Sequence, residues 1–570
     1  MPHCLKNNLF GFLSFMFCIL LLASCGSPAS ENISFLNDSS SILRGESIFT
    51  KQCSGCHNFK QDGIGPDLSG ITETDSVNWI RQFIRGPEEM IESGDDHAKK
   101  LQAIYHTVMP SFSSFKEDEM NQLLAFLHTQ KIKKKEPEDP TAIKDPIPQK
   151  IAASDLQVDL EEIMQLPSTS DKAPATRISK MEMISPGHHW FILDQRGKLY
   201  KISNQKPVIF LDMKKWKPNF IAEPGLATGF GSFAFHPHFS ENGLFYTSHC
   251  EMPHSKKADF SIPDSIKQTL QWVVSEWKAR NPMSDTFSGT SRELFRIDMV
   301  TGLHGVQEIT FNPRAKPGSE DFGLLYIGVG DGGSVENGFS FLTSHPDKIW
   351  GTILCIDPMG RNSRNGQYGI PKQNPFSNKP VNESVQEIYA DGFRNPNRIS
   401  WLSNGKMVAT NIGQANIEAL NIILKEHHYG WPQREGWFEI HPFGNINHVF
   451  TLPINDAESG ITYPVAAFDH DEGKAIAGGF EYTGNQIPKL KGKYLFGDIP
   501  TGRLFYVNTK DLKTGGTATI KEWFVAIHGK RKTLKDLCGD SRVDLRFARD
   551  DQGEMYMTTK PDGKIYQFKK

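Results

Sequence analysis

GKYLFGDIPTGRLFYVN, residues 492–508, reads as two short strands around a turn. Apolar and aromatic side chains fill 494–496 and 504–507, and Gly, Asp, Pro and Thr stand between them as turn formers. Runs of the same kind recur upstream and downstream: GKLYKIS (197–203), NGLFYTSH (242–249), GLLYIGVGDGG (323–333), GKMVATNIG (405–413), GEMYMTT (553–559) and GKIYQFKK (563–570). Many open at Gly or Asn-Gly, as β-hairpins do. So many strands need a closed or radial arrangement to hide their edges. A β-propeller meets that need; a long sandwich or two stacked β domains is the alternative. No short exact repeat lets the blades be counted from the pattern.

The chain has 570 residues, which points to at least two domains. Hydrophobic residues at 38% and charged residues at 23% suit globular domains. A formal net charge of -3 argues against wholesale nucleic-acid binding. Near the start, Lys6 precedes an apolar run at 9–23 that is short for a membrane span. The run ends in Leu22-Ala23-Ser24-Cys25-Gly26, which resembles the lipobox of bacterial lipoproteins. Residues 1–24 are therefore expected to be a signal and Cys25 a lipidated residue. The product would be exported, anchored only by lipid, and would face the periplasm or the cell exterior. A polar tether follows at 25–41 and a compact domain at 42–130. A Lys/Pro-rich linker spans 131–160, and the strand-rich region runs from 161 to 570.

KQCSGCHNF (51–59) contains Cys53-x-x-Cys56-His57. Two thioethers can fix a haem to such a pair, and His57 can ligate the iron. The surroundings resemble a small class I cytochrome c. ILRGESIFTKQ (42–52) has helical spacing, and Gly65-Pro66-Asp67-Leu68 resembles the proline loop beside the haem. SVNWIRQFIRGP (76–87) puts Val77, Ile80, Phe83 and Ile84 on one helical face, and EDEMNQLLAFLHTQ (117–130) does the same with Met120, Leu123, Leu124 and Leu127. The second iron ligand is expected to be Met109, followed by Pro110, with Met90, His97 and His106 as rivals. A zinc or redox dithiol is the alternative for the motif, but zinc needs two further ligands nearby. With Cys4 and Cys18 leaving with the signal, Cys25 taking lipid, and Cys53 and Cys56 committed to haem, Cys250, Cys355 and Cys538 remain of the eight, enough for at most one disulfide.

Beyond the linker, several stretches follow in a telling order. They include GFGSFAFHPHFSENGLFYTS (229–248), LLYIGVGDGGS (324–334), IWGTILCIDPMG (349–360), EIYADGFRNPNRISW (387–401), NIILKEHHYGWPQREG (421–436) and DLRFARDDQGEMYM (544–557). Together they resemble the glucose/sorbosone, or aldose sugar, dehydrogenases that use pyrroloquinoline quinone (PQQ). The resemblance implies a small all-α cytochrome c domain followed by an all-β six-bladed propeller that holds PQQ and a calcium ion near its axis. It also implies site residues. His304, seven residues before Phe311 in HGVQEITF, matches the base, and a histidine suits proton removal near neutral pH. Asp331 in GVGDGG matches the acid that orients it. His236 in FHPHF is a rival base that belongs, in the family, to a structural turn.

Arg394-Asn395 in GFRNP is the sharpest local match, a fixed cation beside the quinone carbonyl. Gly413-Gln414 matches the backbone carbonyl pair for calcium, and hard carbonyl oxygens suit that ion. Arg503, Arg542 and Arg546 match basic contacts to the PQQ carboxylates, and Tyr463-Pro464 an aromatic pair at the substrate mouth. Ala227 stands where relatives carry a polar contact. These expectations converge on an oxidoreductase that takes a hydride from a sugar or polyol at PQQ and passes electrons through haem c to a periplasmic acceptor. The alternative is a non-catalytic propeller that binds a glycan or a protein partner and carries the haem domain as an electron-transfer module.

Overall fold

The computed structural model describes residues 35–570 except 55, 60, 61, 63, 64, 106, 107, 133–138, 172, 185–188, 344, 381 and 382. The signal, Cys25 and His106 lie outside the described residues. Six helices come first: α1 (Ser39–Gln52), α2 (Ile71–Thr74), α3 (Val77–Arg85), α4 (Pro87–Ser93), α5 (Asp96–Tyr105) and α6 (Glu117–Thr129). Asp38 caps α1 by accepting from the Ser41 amide at 2.9 Å. Pro87 ends the run of α3 and opens α4 at its first turn, where its missing N–H costs nothing. The apolar stripe expected on α6 is buried, with Met120, Leu123, Leu124 and Leu127 inside. Against it lie Phe49 of α1, Phe59 and Phe126, with the rings of Phe49 and Phe59 4.5 Å apart. Gly45 permits this crossing: a Cβ there would lie 1.9 Å from the Gln122 carbonyl oxygen.

The remaining chain is β-structure, entered by β1 (Ala152–Gln165). Four four-stranded sheets follow. The first is β2 (Ile178–Ile184), β3 (His189–Asp194), β4 (Lys198–Ser203) and β5 (Lys206–Asp212). The second is β6 (Phe230–Phe235), β7 (Leu244–Glu251), β8 (Leu270–Ala279) and β9 (Gly289–Met299). The third is β10 (Glu308–Phe311), β11 (Leu325–Val329), β12 (Thr352–Ile356) and β13 (Ile388–Asp391). The fourth is β14 (Pro396–Trp401), β15 (Met407–Asn411), β16 (Ile417–Ile423) and β19 (Ala466–Asp469), with a small ribbon of β17 (Arg434–Glu435) and β18 (Phe438–Glu439) in between. The last sheet holds nine strands. It contains β20 (Ile476–Glu481), β21 (Lys493–Asp498), β22 (Leu504–Asn508), β23 (Lys521–Ile527), β24 (Lys530–Lys532), β25 (Arg546–Arg549), β26 (Met555–Thr558), β27 (Lys564–Lys569) and β1.

The opening motif is thus β21 and β22, an antiparallel pair with Phe496 opposite Phe505. Asp498 accepts from the Thr501 amide at 2.9 Å to hold the turn between them.

The six expected blades are not read directly from the sheets, and the linker boundary needs correction. Among the described residues four separate four-stranded sheets occur, because β1 pairs parallel to β23 on one edge and antiparallel to β27 on the other and joins their strands into one sheet. The linker expected to reach residue 160 also gives way to β1 at Ala152. Its alternation of Leu156, Val158 and Leu160, all buried, is a strand period that the preceding Lys/Pro-rich text masked. Even before β1 the segment touches the β domain, as the Ile143 amide donates to the Val449 carbonyl at 2.8 Å.

Strands β2, β6, β10, β14, β20 and β25 neighbour one another in that order and return to β2. They form an inner ring. Apolar clusters fill the seams outside it, and one joins Tyr556 and Ile565 back to Ile178, Met181 and Ile192. The ring interior is polar. Glu308 is buried between Lys180, 2.7 Å away, and Arg398. Buried charges of opposite sign are tolerated here because each faces its partner.

Candidate active site

His304 sits in the loop that leads into β10, in a left-handed conformation with φ 47°. Gly330 lets the neighbouring loop approach: a Cβ there would stand 2.2 Å from the His304 carbonyl oxygen. His304 Nδ1 is 2.7 Å from Asp331 Oδ1, and both residues are buried. Asp331 Oδ1 also accepts from the Gly333 amide at 2.9 Å, and Oδ2 accepts from Trp431 Nε1 at 3.1 Å. A carboxylate accepts only, so Nδ1 carries the hydrogen in this pair. That leaves Nε2 as the basic atom of the neutral ring. Burial pushes the Asp331 carboxyl up, but His304 and Arg394 outweigh burial and hold it below the ordinary carboxylate range.

Arg394 is buried one strand-turn away, and its carbonyl accepts from the Asp331 amide at 2.8 Å. Its Nε donates to Gln414 Oε1 at 2.8 Å, its Nη2 to Glu336 Oε1 at 3.1 Å, and its Nη1 to the Gly413 carbonyl. The guanidinium also stands over the Trp431 ring, 5.9 Å from its centroid. Beside it, Asn395 is buried with its Oδ1 unpartnered, as is Oε1 of Gln195. A polar cavity of about 20 Å³ at the inner ring is lined by Ser179, Gln195, Gln307, Asn397, Arg398 and Arg546.

The expected cofactor contacts divide. Arg394, Asn395 and Arg542 gather at this end of the ring. Arg542 pairs with Asp544 at 2.9 Å and lies close enough to Cys56 for its charge to act on that thiol. Asn395 and Gln195 keep unused buried polar atoms and Arg546 lines the small cavity, while Arg394 and Arg542 already hold partners that a flat, acidic group such as PQQ would have to exchange as it widened the site. Arg503 does not join them. Its guanidinium is held by Glu522 at 2.9 Å and Glu472 at 2.6 Å. Tyr463 is likewise tied into its own loop, donating to Asp456 at 2.6 Å and accepting from Arg434 at 3.3 Å.

The calcium pair does not fit a dication as arranged. The Gly413 carbonyl already takes the Arg394 guanidinium, and two cations on one carbonyl repel. Among the described residues no cluster of three His, Cys, Asp or Glu side chains could hold a metal ion. The rival base His236 is structural: its Nδ1 accepts from the His238 amide at 3.0 Å and meets Asn242 Nδ2 at 2.8 Å. Ala227 is buried.

In the helical domain, Cys53 caps the end of α1, and the His57 amide donates back to the Cys53 carbonyl at 3.0 Å. His57 Nδ1 is 2.9 Å from the Pro66 carbonyl oxygen and must donate to it. This fixes the tautomer and leaves Nε2 for iron. Gly65 makes room, since a Cβ there would come within 2.4 Å of the His57 ring. Burial pushes the Cys53 thiol up to about 12 and the Cys56 thiol to about 11. Met109 is half-buried in the irregular stretch between α5 and α6. The rival His97 is engaged elsewhere, 3.1 Å from Asp75 and stacked on Trp79. Cys53, Cys56, Cys250, Cys355 and Cys538 are all thiols, and no disulfide occurs among the described residues.

Several neighbours carried no signal in the sequence. Glu336 follows the GVGDGG motif without a spacing of its own. Glu435 gathers the amides of Gln414, Ala415, Asn416 and Ile417 at 2.7 to 3.1 Å, so a single carboxylate shapes the loop. His470 meets buried Glu418 at 3.0 Å, and burial and Lys474 lower its pKa to about 4. These partners come from separate strands, where no motif links them.

Residues 179–566 match the family described as "Glucose / Sorbosone dehydrogenase", and residues 42–131 match "Cytochrome c". HIPL1 protein of Arabidopsis thaliana is 27% identical over 378 residues, covering 58% of this chain and 52% of the plant protein. The chain therefore spans about half the length of that relative. Quinoprotein glucose dehydrogenase B of Acinetobacter calcoaceticus is 25% identical over 341 residues, covering 56% of this chain and 64% of the relative. The apo form of soluble aldose sugar dehydrogenase from Escherichia coli shares the fold. Its TM-score is 0.50 at 17% identity, covering 72% of this chain and 99% of that one.

Proposed function

The chain belongs to the glucose/sorbosone dehydrogenase family and carries a cytochrome c domain, and on that premise we propose that it oxidises a sugar or polyol hydroxyl and hands the electrons to a covalently bound haem c. The observation that carries the reading is the buried His304–Asp331 pair beside Arg394, inside a fold of that family. PQQ, held by Arg394, Asn395 and Arg542, would supply the hydride acceptor. His304 Nε2 takes the hydroxyl proton as the carbon gives up its hydride and the carbonyl forms. Asp331 keeps Nε2 in place and stabilises the imidazolium. Arg394 supplies the positive charge beside the acceptor in place of a divalent cation, so calcium has no step in this reading.

Iron would be held by His57 and Met109, with Cys53 and Cys56 as thioether anchors. The nine-stranded sheet we read as two blades, β20–β23 and β25–β27 with β1, joined where β1 runs along β23; this would make six. The exported, lipid-anchored placement rests on Lys6, the 9–23 run and Cys25, and the final acceptor would be a periplasmic one-electron carrier.

The test is to reconstitute the haem-loaded protein with PQQ, add aldoses and polyols, and follow the absorption band of the reduced haem. Reduction by at least one substrate is expected. If none reduces the haem while dithionite does, the oxidation reading fails. The second reading, a propeller that only binds a glycan or a protein, draws on Arg503 and Tyr463 being spent in local networks. It predicts a saturable sugar or protein complex with no haem reduction.

A further inference from the structure

Residues Leu36–Lys570 form one compact unit, and among its described residues contacts at three places join the helical domain to the β domain. Glu46 of α1 meets Lys267, in the loop before β8, at 2.9 Å. The carbonyl of Asp62, in the loop after His57, accepts from Asn447 Nδ2 in the loop between β18 and β19. Glu88 of α4 accepts from Ser541, in the loop before β25. The three points on each side are far apart in sequence, so one accidental contact cannot explain them. Cys56 also meets this surface. The charges of Arg542 and Glu336 reach its thiol across the junction, and Glu336 is the residue that pairs with Arg394.

From the Asp62 loop, hydrogen bonds run inward without a break. Asn447 Oδ1 accepts from Gln414 Nε2 at 3.1 Å, and Gln414 Oε1 accepts from Arg394. The haem-bearing loop is therefore seated on the same wall that holds the candidate site. Electron transfer falls steeply with distance, so a seat of this kind decides its rate.

We propose that the rim formed by Lys267, Asn447 and Ser541 is a docking surface for this chain's own haem domain, and that the Glu46–Lys267 corner governs how much of the time the domain is seated there. The inference rests on the reading above, in which the site supplies electrons. Each hydroxyl oxidised releases two electrons and two protons. The haem iron takes one electron at a time, ferric to ferrous, and a one-electron acceptor protein must reoxidise it before the second transfer; the protons leave to water. Seating is thus needed twice per turnover. The Lys267 and Glu46 side chains are 60% and 37% exposed, so salt screens their attraction. Haem reduction should weaken as salt rises, whereas oxidation of substrate by a small dye should not.

Two measurements on the full chain test this. First, a zero-length carbodiimide should couple Glu46 to Lys267 in the haem-loaded protein without PQQ, and mass spectrometry should recover that cross-linked peptide pair. Its absence overturns the dock whatever the chemistry of the site. Second, Glu46→Lys and Lys267→Glu, each alone in the PQQ-reconstituted protein, should slow stopped-flow haem reduction by about fivefold at low salt. Reduction of a phenazine dye by the same substrate should stay unchanged. The double exchange, with the charges swapped, should restore haem reduction to near its original rate. Singles that leave haem reduction unaltered, or a double that fails to recover, overturn the proposal. If the parent protein reduces no dye with any sugar, the oxidation reading falls instead, and the cross-link alone then decides the dock.

Discussion

In the proposed oxidation His304 and Asp331, 2.7 Å apart, are the residues on which the chemistry would turn. His304→Ala should lower substrate-dependent haem reduction at least about a hundredfold, as expected for loss of a general base, while PQQ absorbance on the protein is retained. Asp331→Asn should also cost activity heavily, because an amide can present its N–H to Nδ1 and so misplace the proton on the ring. Undiminished turnover in either variant, measured by steady-state haem reduction, would move the base elsewhere. Both residues were legible in the sequence because each sits inside a local motif, HGVQEITF and GVGDGG. The surroundings of Arg503 were not legible, for the opposite reason. TGRLF marks a basic position but is silent on Glu472 and Glu522, the carboxylates that take up its guanidinium.

At the level of elements, two local devices invite measurement. The α1–α6 crossing depends on Gly45, so Gly45→Val should overpack it and destabilise the haem domain by about 1–3 kcal/mol. A fall in the melting temperature of the haem absorption band would report it; an unchanged melt would mean the helices can separate freely. The second device is the His236 turn after β6. Burial, with His238, lowers the His236 pKa from 6.5 to about 4. Protonation would also turn Nδ1 from acceptor to donor and break its bond to the His238 amide. The unfolded chain therefore takes up this proton first as pH falls. The contribution to stability is whole above pH 6.5 and is lost on the way down to about 4. Thermal melts across that window should show the loss, and His236→Asn, which keeps an accepting oxygen, should flatten it. Helices α1, α3 and α6 and the two strands within 492–508 were readable from period, whereas α2, α4 and α5 were not. β1 was not, because its alternation begins inside a stretch whose lysines and prolines read as linker.

For the whole molecule, β1 is the strand that joins the β20–β23 and β25–β27 groups into one sheet. Deleting 152–165 should leave β23 and β27 with bare edges and turn the protein into soluble aggregates or insoluble material on size-exclusion chromatography. A monomeric, cooperatively melting product would show that the ring closes without it. By itself the sequence determined a haem-attachment motif and a strand-rich body, and it singled out His304 and Asp331, which the fold brings to 2.7 Å. Each of these is written in bonds, spacing or period within a few residues of chain. The tertiary structure alone decided which arginines remain for a cofactor and that a guanidinium takes the Gly413 carbonyl. It also decided that an N-terminal strand joins the last sheet, and that Cys56 comes to rest beside Arg542. The reason is physical: ion pairs and strand edges are satisfied by whatever folding brings within a few ångströms. Here those partners come from segments far apart in the chain, as with Val158 against Val525 or Lys180 against Glu308.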